Sequence, residues 1–301
     1  MAEILQKDGS WVLDGDVLRL TPGRDKGVSL FRRTRGELTV PLGALAGVSF
    51  EQGRRNGRLR LRLRDGADPL LHATGGRLTE PHDPYQLLVE SDRYGVAAYV
   101  VDEVRAALSL ARVPSGPVTE FLVPGPALPL SVSAGDGTVH FDGERVRLEW
   151  NWKTEDAKSA AGPRTLAVGD LTGVEWVPST GLENGHLRFG VRGAATRAAA
   201  KHDPHAVELW GFRKDPLMAL VAAAVQARLP HPAAVAAAAV DAAAVDAVDA
   251  VAEAGQPSRP PVEDDHDALL RRLRELGALR HAGVLTDEEF TRAKQAVLKR
   301  L

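Results

Sequence analysis

The feature that most constrains this chain is that it repeats itself. Asp8-Gly9-Ser10-Trp11-Val12-Leu13-Asp14-Gly15-Asp16-Val17-Leu18-Arg19-Leu20 aligns with Asp136-Gly137-Thr138-Val139-His140-Phe141-Asp142-Gly143-Glu144-Arg145-Val146-Arg147-Leu148. Leu45-Ala46-Gly47-Val48-Ser49-Phe50 aligns with Leu171-Thr172-Gly173-Val174-Glu175-Trp176, and Asn56-Gly57-Arg58-Leu59-Arg60-Leu61 with Asn184-Gly185-His186-Leu187-Arg188-Phe189. His82-Asp83-Pro84 returns as His202-Asp203-Pro204. The four blocks keep their order, and their first residues are offset by 128, 126, 128 and 120. A run of blocks in one order at a nearly fixed period marks a duplicated unit.

Each copy reads as mostly β. Asp14-Gly15, Asp142-Gly143, Asn56-Gly57 and Asn184-Gly185 have the composition of two-residue hairpin turns, in which glycine supplies positive φ. Arg58-Leu59-Arg60-Leu61-Arg62-Leu63-Arg64 alternates strictly, so the leucines face a core and the arginines face away. Further short strands are expected at Leu70-Leu71-His72-Ala73 and Gln86-Leu87-Leu88-Val89. Val96, Tyr99, Val100, Val104, Ala107 and Leu108 then form an apolar stripe at helical spacing. In the second copy Pro216 opens a helix carrying Leu217, Leu220, Val221, Val225 and Leu229, and Pro230 ends it.

The fold expected is therefore mainly β with α. It comprises two tandem pleckstrin-homology-like β-barrel or sandwich domains, each closed over its own core by a C-terminal helix, plus a C-terminal helical hairpin. The boundaries read 1–113 for the first repeat, 114–129 for a Pro-rich connector and 130–230 for the second repeat. A linker rich in Ala, Asp and Pro spans 231–265, and a two-helix domain spans 266–301.

Composition narrows the function. Cysteine is absent, which excludes thiol nucleophiles, disulfides and Cys-ligated metals and fits a reducing cytoplasm. Net charge is −2, and no segment is basic enough to demand nucleic acid. The first residues are charged and break at Gly9, so no signal peptide is expected. The Ala/Val run from Ala233 to Ala254 is punctuated by Asp241, Asp246 and Asp249, short of the roughly 18 uninterrupted apolar residues of a span. Residues 231–265 hold seven acids and one arginine, whereas 266–301 hold eight bases and five acids. The alanine-rich part of the linker has helix propensity, and the proline-rich part reads as an extended spacer.

Beyond the linker, Leu269, Leu270, Leu273 and Leu276 form one helical seam. Gly283 can end that helix, Thr286-Asp287-Glu288-Glu289 is a capping box, and Phe290, Ala293, Val297 and Leu298 face back. A hairpin this small buries little by itself, so its seam should find a second copy or another protein. Leu269-Leu270-Arg271-Arg272-Leu273-Arg274-Glu275-Leu276, Ala282-Gly283-Val284-Leu285-Thr286-Asp287-Glu288-Glu289-Phe290 and Lys294-Gln295-Ala296-Val297-Leu298 together resemble the SHOCT (short C-terminal) domain. That resemblance implies oligomerisation or protein contact. The rest resembles tandem domain-of-unknown-function proteins of high-GC Gram-positive bacteria that often end in SHOCT, through Pro22-Gly23-Arg24-Asp25-Lys26-Gly27-Val28, the alternating Arg strand and the His-Asp-Pro-Tyr segment. The resemblance brings an architecture and no activity.

Several groups invite a chemical reading. Arg58, Arg60, Arg62 and Arg64, with Arg24 and Lys26 of a basic loop near Arg32, Arg33 and Arg35, could form an anion-binding face for phosphate or a lipid headgroup. The commoner role of such a stripe is a solvated sheet face protected against edge pairing. His82-Asp83-Pro84 and His202-Asp203-Pro204 read as strand-initiating turns, since His205 and Glu208 lack a convincing third metal ligand. Trp150, Trp152, Trp176, Trp210 and Phe212 read as core filling or an inter-domain contact in preference to a stacking site. No catalytic constellation, metal ligand set or cofactor motif is expected. The expectation is a non-enzymatic cytoplasmic interaction protein that binds a protein partner or itself through Leu269, Leu270, Leu273, Leu276, Phe290, Val297 and Leu298. The alternative is a binder of an anionic ligand or membrane surface through the Arg face.

Overall fold

In the computed structural model, which describes residues 1–194 and 198–235, the alternating stretches become strands and the duplication becomes two matching series of elements. β1 (Ala2–Gln6), β2 (Gly9–Asp14), β3 (Val17–Pro22) and β4 (Leu38–Pro41) form an antiparallel sheet in that order, with α1 (Leu30–Arg35) before β4. β5 (Leu45–Glu51), β6 (Asn56–Leu63) and β7 (Gln86–Glu90) form a three-stranded antiparallel sheet, and α3 (Tyr94–Leu110) follows it. A short helix, α2 (Pro69–Thr74), is inserted between β6 and β7.

The second half repeats the series. β8 (Leu130–Ala134), β9 (Gly137–Phe141), β10 (Arg145–Trp150) and β11 (Arg164–Ala167) form the four-stranded sheet, with α4 (Asp156–Ala160) before β11. β12 (Leu171–Val177), β13 (Gly185–Val191) and β14 (Ala206–Leu209) form the three-stranded sheet, and α5 (Met218–Gln226) follows. Irregularities are copied too: the ladder slips between Leu45 and Gly47 and again between Leu171 and Gly173. The described protein is thus mainly antiparallel sheet with helices, and none of its sheets closes into a barrel. Among the described residues no helix is long and apolar enough to cross a membrane.

Alternation in β6 is realised as the sequence dictates. Leu59 and Leu61 are buried and Leu63 is partly so, while the arginines between them face outward. α3 buries Ala97, Val100, Val101 and Val104, an i, i+3, i+4, i+7 stripe. Tyr99, assigned to that stripe by spacing, is more than half exposed.

Two local readings are corrected. Residues 70–73 form helix α2 in place of a strand. Asp68 caps it by accepting the N–H groups of Leu70 and Leu71, Pro69 sits in the first turn, and Gly75 ends it in the left-handed region. The Asn-Gly pairs are not turns either. Asn56 and Gly57 already belong to β6 and pair with Glu90 and Val89 of β7, and Gly185 likewise belongs to β13 and pairs with Leu209 of β14. Glycine is needed there for proximity: a Cβ at Gly57 would lie 2.6 Å from the Phe50 ring and 2.9 Å from the Tyr94 ring. Those rings meet edge to face at 5.3 Å and cover that end of the sheet.

The core departs from two independent interiors. One cluster belongs to the first repeat, including Ile4, Trp11, Leu18, Leu59, Leu87 and Val104. It also takes in Val118 and Val123 from the Pro-rich connector, whose backbone is bonded to Asp65 and Ala67. The other is built on the second repeat, yet it contains Phe31, Leu70 and Ala73 from the first. α2 packs directly on α5, and all nine residues of α5 are buried. The closing helix of the second repeat is therefore not amphipathic. Its own sheets cover one side and the inserted helix of the first repeat covers another.

Gly57→Ala is expected to destabilise the fold by about 1–3 kcal/mol, because the added methyl must displace two packed rings. Urea unfolding measures this, and an unchanged midpoint would contradict the close-approach role.

Candidate functional site

Each repeat contains one buried ion pair, built at equivalent positions. Asp8 lies in the β1–β2 turn and accepts both Nη1 contacts of Arg32 on α1, at 2.8 and 2.9 Å. Asp8 also accepts the Leu88 N–H of β7 at 3.0 Å, and Arg32 donates to the Gln86 carbonyl. In the second repeat Asp136 meets Lys158 of α4 at 2.6 Å and accepts the Glu208 N–H of β14 at 2.8 Å. Lys158 also donates to the Ala200 carbonyl, and its Nζ lies 4.4 Å from the Trp150 ring centroid. Its side chain is 0% exposed. The carboxylate of each DG block thus ties the four-stranded sheet, the small helix and the edge strand of the three-stranded sheet at one point. Burial pushes the Asp136 carboxyl up from the usual carboxylate range, while Lys158 and the Glu208 N–H hold it down. These pairs act as latches between sheets.

The arginine stripe faces outward on β6 and is largely answered within its own repeat. Arg58 and Arg60 converge on Glu80 at 2.8 and 2.6 Å. Arg64 donates to the carbonyls of Gly43 and Gly116, fastening the connector. Arg62 is exposed, as are Arg24 and Lys26 in the loop after β3. Arg32 of the same basic segment is the buried latch residue, and Arg35 donates to the Pro124 carbonyl. The six residues named as an anion-binding face therefore do not converge as one cluster of unanswered charge.

The two His-Asp-Pro segments are backbone devices. Asp83 Oδ1 accepts the Tyr85 N–H and Asp203 Oδ1 accepts the His205 N–H, each at 2.8 Å. Asp203 also pairs with Arg188 at 3.1 Å. Burial lowers the His82 pKa, which keeps the ring neutral near neutral pH. Nearby, Tyr85 donates its hydroxyl to Asp68 at 2.7 Å; burial raises the pKa of both groups, while the Tyr85 hydroxyl and the Leu70 and Leu71 N–H groups pull that of Asp68 back down. Among the described residues no group of three or more His, Cys, Asp or Glu is placed to hold a metal ion.

The aromatic residues of the second repeat divide. Trp176 is in the core, and Trp150 packs against that core beneath Lys158. Trp152, however, is 88% exposed and Phe212 is 58% exposed, which corrects the core-filling expectation for this pair. Both lie in loops beyond strand ends, where no inward position exists. Sequence reading placed the latch aspartates, Asp8 and Asp136, only in the first duplicated block. Their basic partners, the third residues of α1 and α4, carried a signal only after the two copies are laid over each other. The seam Leu269, Leu270, Leu273, Leu276, Phe290, Val297 and Leu298 lies outside the described residues.

With this geometry in place, comparison with protein families gives one result: the model of a domain of unknown function (DUF4429) matches in two stretches, residues 11–105 and 139–226. These fall on the two repeats and confirm the tandem arrangement. No curated protein matches the chain.

Lys158→Met, which leaves Asp136 buried without its counter-charge, is expected to cost about 3–5 kcal/mol in chemical denaturation. Adding Asp136→Asn should restore part of that loss, and two simply additive penalties would contradict a latch between them.

Proposed function

Because this chain belongs to the DUF4429 family, whose description carries no chemistry, we propose from its geometry that it is a non-enzymatic cytoplasmic interaction protein. In this reading two pleckstrin-homology-like repeats form one rigid platform, and a SHOCT-like tail gathers copies of it or a protein partner. The carrying observation is the packing of α2 of the first repeat on the fully buried α5 of the second, which holds the two repeats in one fixed relation. A fixed pair of sheets presents a constant surface, and surfaces that need no reordering bind at a lower entropic cost. The order of four strands, three strands and a helix, found twice, supports the pleckstrin-homology-like assignment. The ionisable residues nearest the sheet junctions serve as latches, which supports a binding role over catalysis.

The SHOCT resemblance of residues 266–301 supports the tail's part, as does the resemblance of the repeats to tandem proteins of high-GC Gram-positive bacteria that often end in SHOCT. The anionic-ligand alternative draws less support, since Arg58, Arg60 and Arg64 are engaged within the repeat.

Light scattering after size exclusion on the full chain tests the tail. The wild type is expected to show a multiple of the 32.2 kDa chain mass. The triple variant Leu269→Asp, Leu273→Asp, Phe290→Asp is expected to elute as a monomer. Equal masses would refute tail-mediated self-association, and capture of a defined partner by the tail would then be the remaining form of the proposal.

A further inference from the structure

Three aromatic rings of the second repeat surround one ammonium group. Lys153 Nζ lies 5.3 Å from the Trp152 ring centroid, 5.2 Å from Trp210 and 5.5 Å from Phe212. Trp210 and Phe212 meet edge to face, with centroids 6.0 Å apart and planes at 80°. A ring face is the negative side of the aromatic quadrupole, so walls of this kind favour a cation between them. A carboxylate stands behind one wall. Glu208 accepts the Trp210 indole N–H at 3.1 Å through Oε2 and the Asn184 amide at 3.1 Å through Oε1.

Buried groups hold the walls in place. The backbone N–H groups of Trp210, Gly211 and Phe212 all donate to Oδ2 of the buried Asp215, at 2.8, 2.8 and 3.0 Å. On the other side, Asn151 accepts the Lys153 N–H and donates to the Gly135 carbonyl, while Thr154 donates to the Asp136 carbonyl. The rings therefore stand on anchored loops.

The duplication supplies an internal control. Gly23 and Asn151 both donate their N–H to the latch aspartate's carbonyl, Asp8 and Asp136 respectively, so these positions correspond. Trp152 and Lys153 then correspond to Arg24 and Asp25. Leu88 and Glu208 correspond through the same aspartates, which sets Trp210 and Phe212 against Glu90 and Asp92. The first repeat folds the same corner with charged residues, including a Lys7–Glu90 pair at 2.6 Å. The fold does not require rings there. Large exposed apolar side chains gathered around a cation need an explanation from binding.

We propose that this corner is a recognition site for a quaternary ammonium group, with Lys153 as the internal occupant it displaces. A primary ammonium is strongly hydrated and has N–H groups to satisfy, and aromatic faces satisfy them poorly. A quaternary ammonium has no N–H and sheds its water more readily, so the ring walls and the Glu208 charge favour it over Lys153. The shared chemistry is the trimethylammonium head of a free solute or of a choline lipid.

The test titrates the full chain with choline chloride, following tryptophan fluorescence at constant ionic strength. 3,3-Dimethylbutan-1-ol, which has the same shape without charge, is the comparison. Saturable binding of choline and none of the alcohol is expected. Lys153→Ala should tighten choline binding at least threefold, and Phe212→Ala should weaken it about tenfold while leaving the circular dichroism melt unchanged. Flotation with phosphatidylcholine vesicles separates the sources: flotation lost in Phe212→Ala assigns a lipid headgroup, and choline binding without flotation assigns a free solute. No saturable response, equal binding of the alcohol, or weaker binding by Lys153→Ala would each overturn the proposal.

Discussion

An apolar helix with no polar face cannot stand at the edge of a domain, and this requirement shapes the arrangement of the two repeats. α5 is nine residues long, below the roughly 12–15 at which isolated helices become stable in water, so its stability must come from packing. Every one of its residues is buried, including Gln226. The sheets of the second repeat cover only part of that surface. The remainder is closed by Leu70 and Ala73 on α2, with Phe31 nearby, all from the first repeat. A helix of one copy thus completes the interior of the other, and the two repeats share one of their two cores.

Within each repeat the sheets are joined by a charge placed where both can reach it. The aspartate of the first DG block takes a backbone N–H from the third strand of the smaller sheet and a base from the small helix. Arg32 and Lys158 fill that role with different geometry. The guanidinium spans Asp8 and the Gln86 carbonyl, whereas the ammonium of Lys158 is enclosed by Asp136, the Ala200 carbonyl and the Trp150 ring. Buried charges of this kind are tolerated because each meets an opposite charge and further hydrogen-bond partners: the Leu88 N–H and Gln86 carbonyl in the first repeat, the Glu208 N–H and Ala200 carbonyl in the second. They fix how the sheets meet more than they add stability.

Much of this was legible in the residues. The duplicated blocks gave the tandem arrangement, the Arg/Leu alternation placed β6, and the two C-terminal helices stood out by spacing. Other features escaped for physical reasons. Asn56-Gly57 has turn composition, but its glycine answers to the Phe50 and Tyr94 rings, a contact fixed only by the tertiary fold. Pro69-Leu70-Leu71-His72 looks like a strand until Asp68 is recognised as a cap and Gly75 as a stop. The helix over Met218–Gln226 was placed by the spacing of Leu220, Val221 and Val225, yet what covers its far side depends on α2, a helix of the other copy. The aromatic corner was noticed as a set of residue types, and only the loops' geometry shows that Trp152, Trp210 and Phe212 share one cation. The latches were missed because an Asp-Gly turn and a base some two dozen residues later carry no joint signature in a single copy.

The most direct measurement of the joint core is amide hydrogen exchange on the full chain and its Leu70→Ala variant. Removing a buried leucine from α2 leaves a cavity against α5 and is expected to cost about 2–5 kcal/mol. The account predicts that amides of Met218–Gln226, in the other repeat, lose protection together with those of α2. Faster exchange confined to the first repeat, with α5 as protected as before, would contradict it.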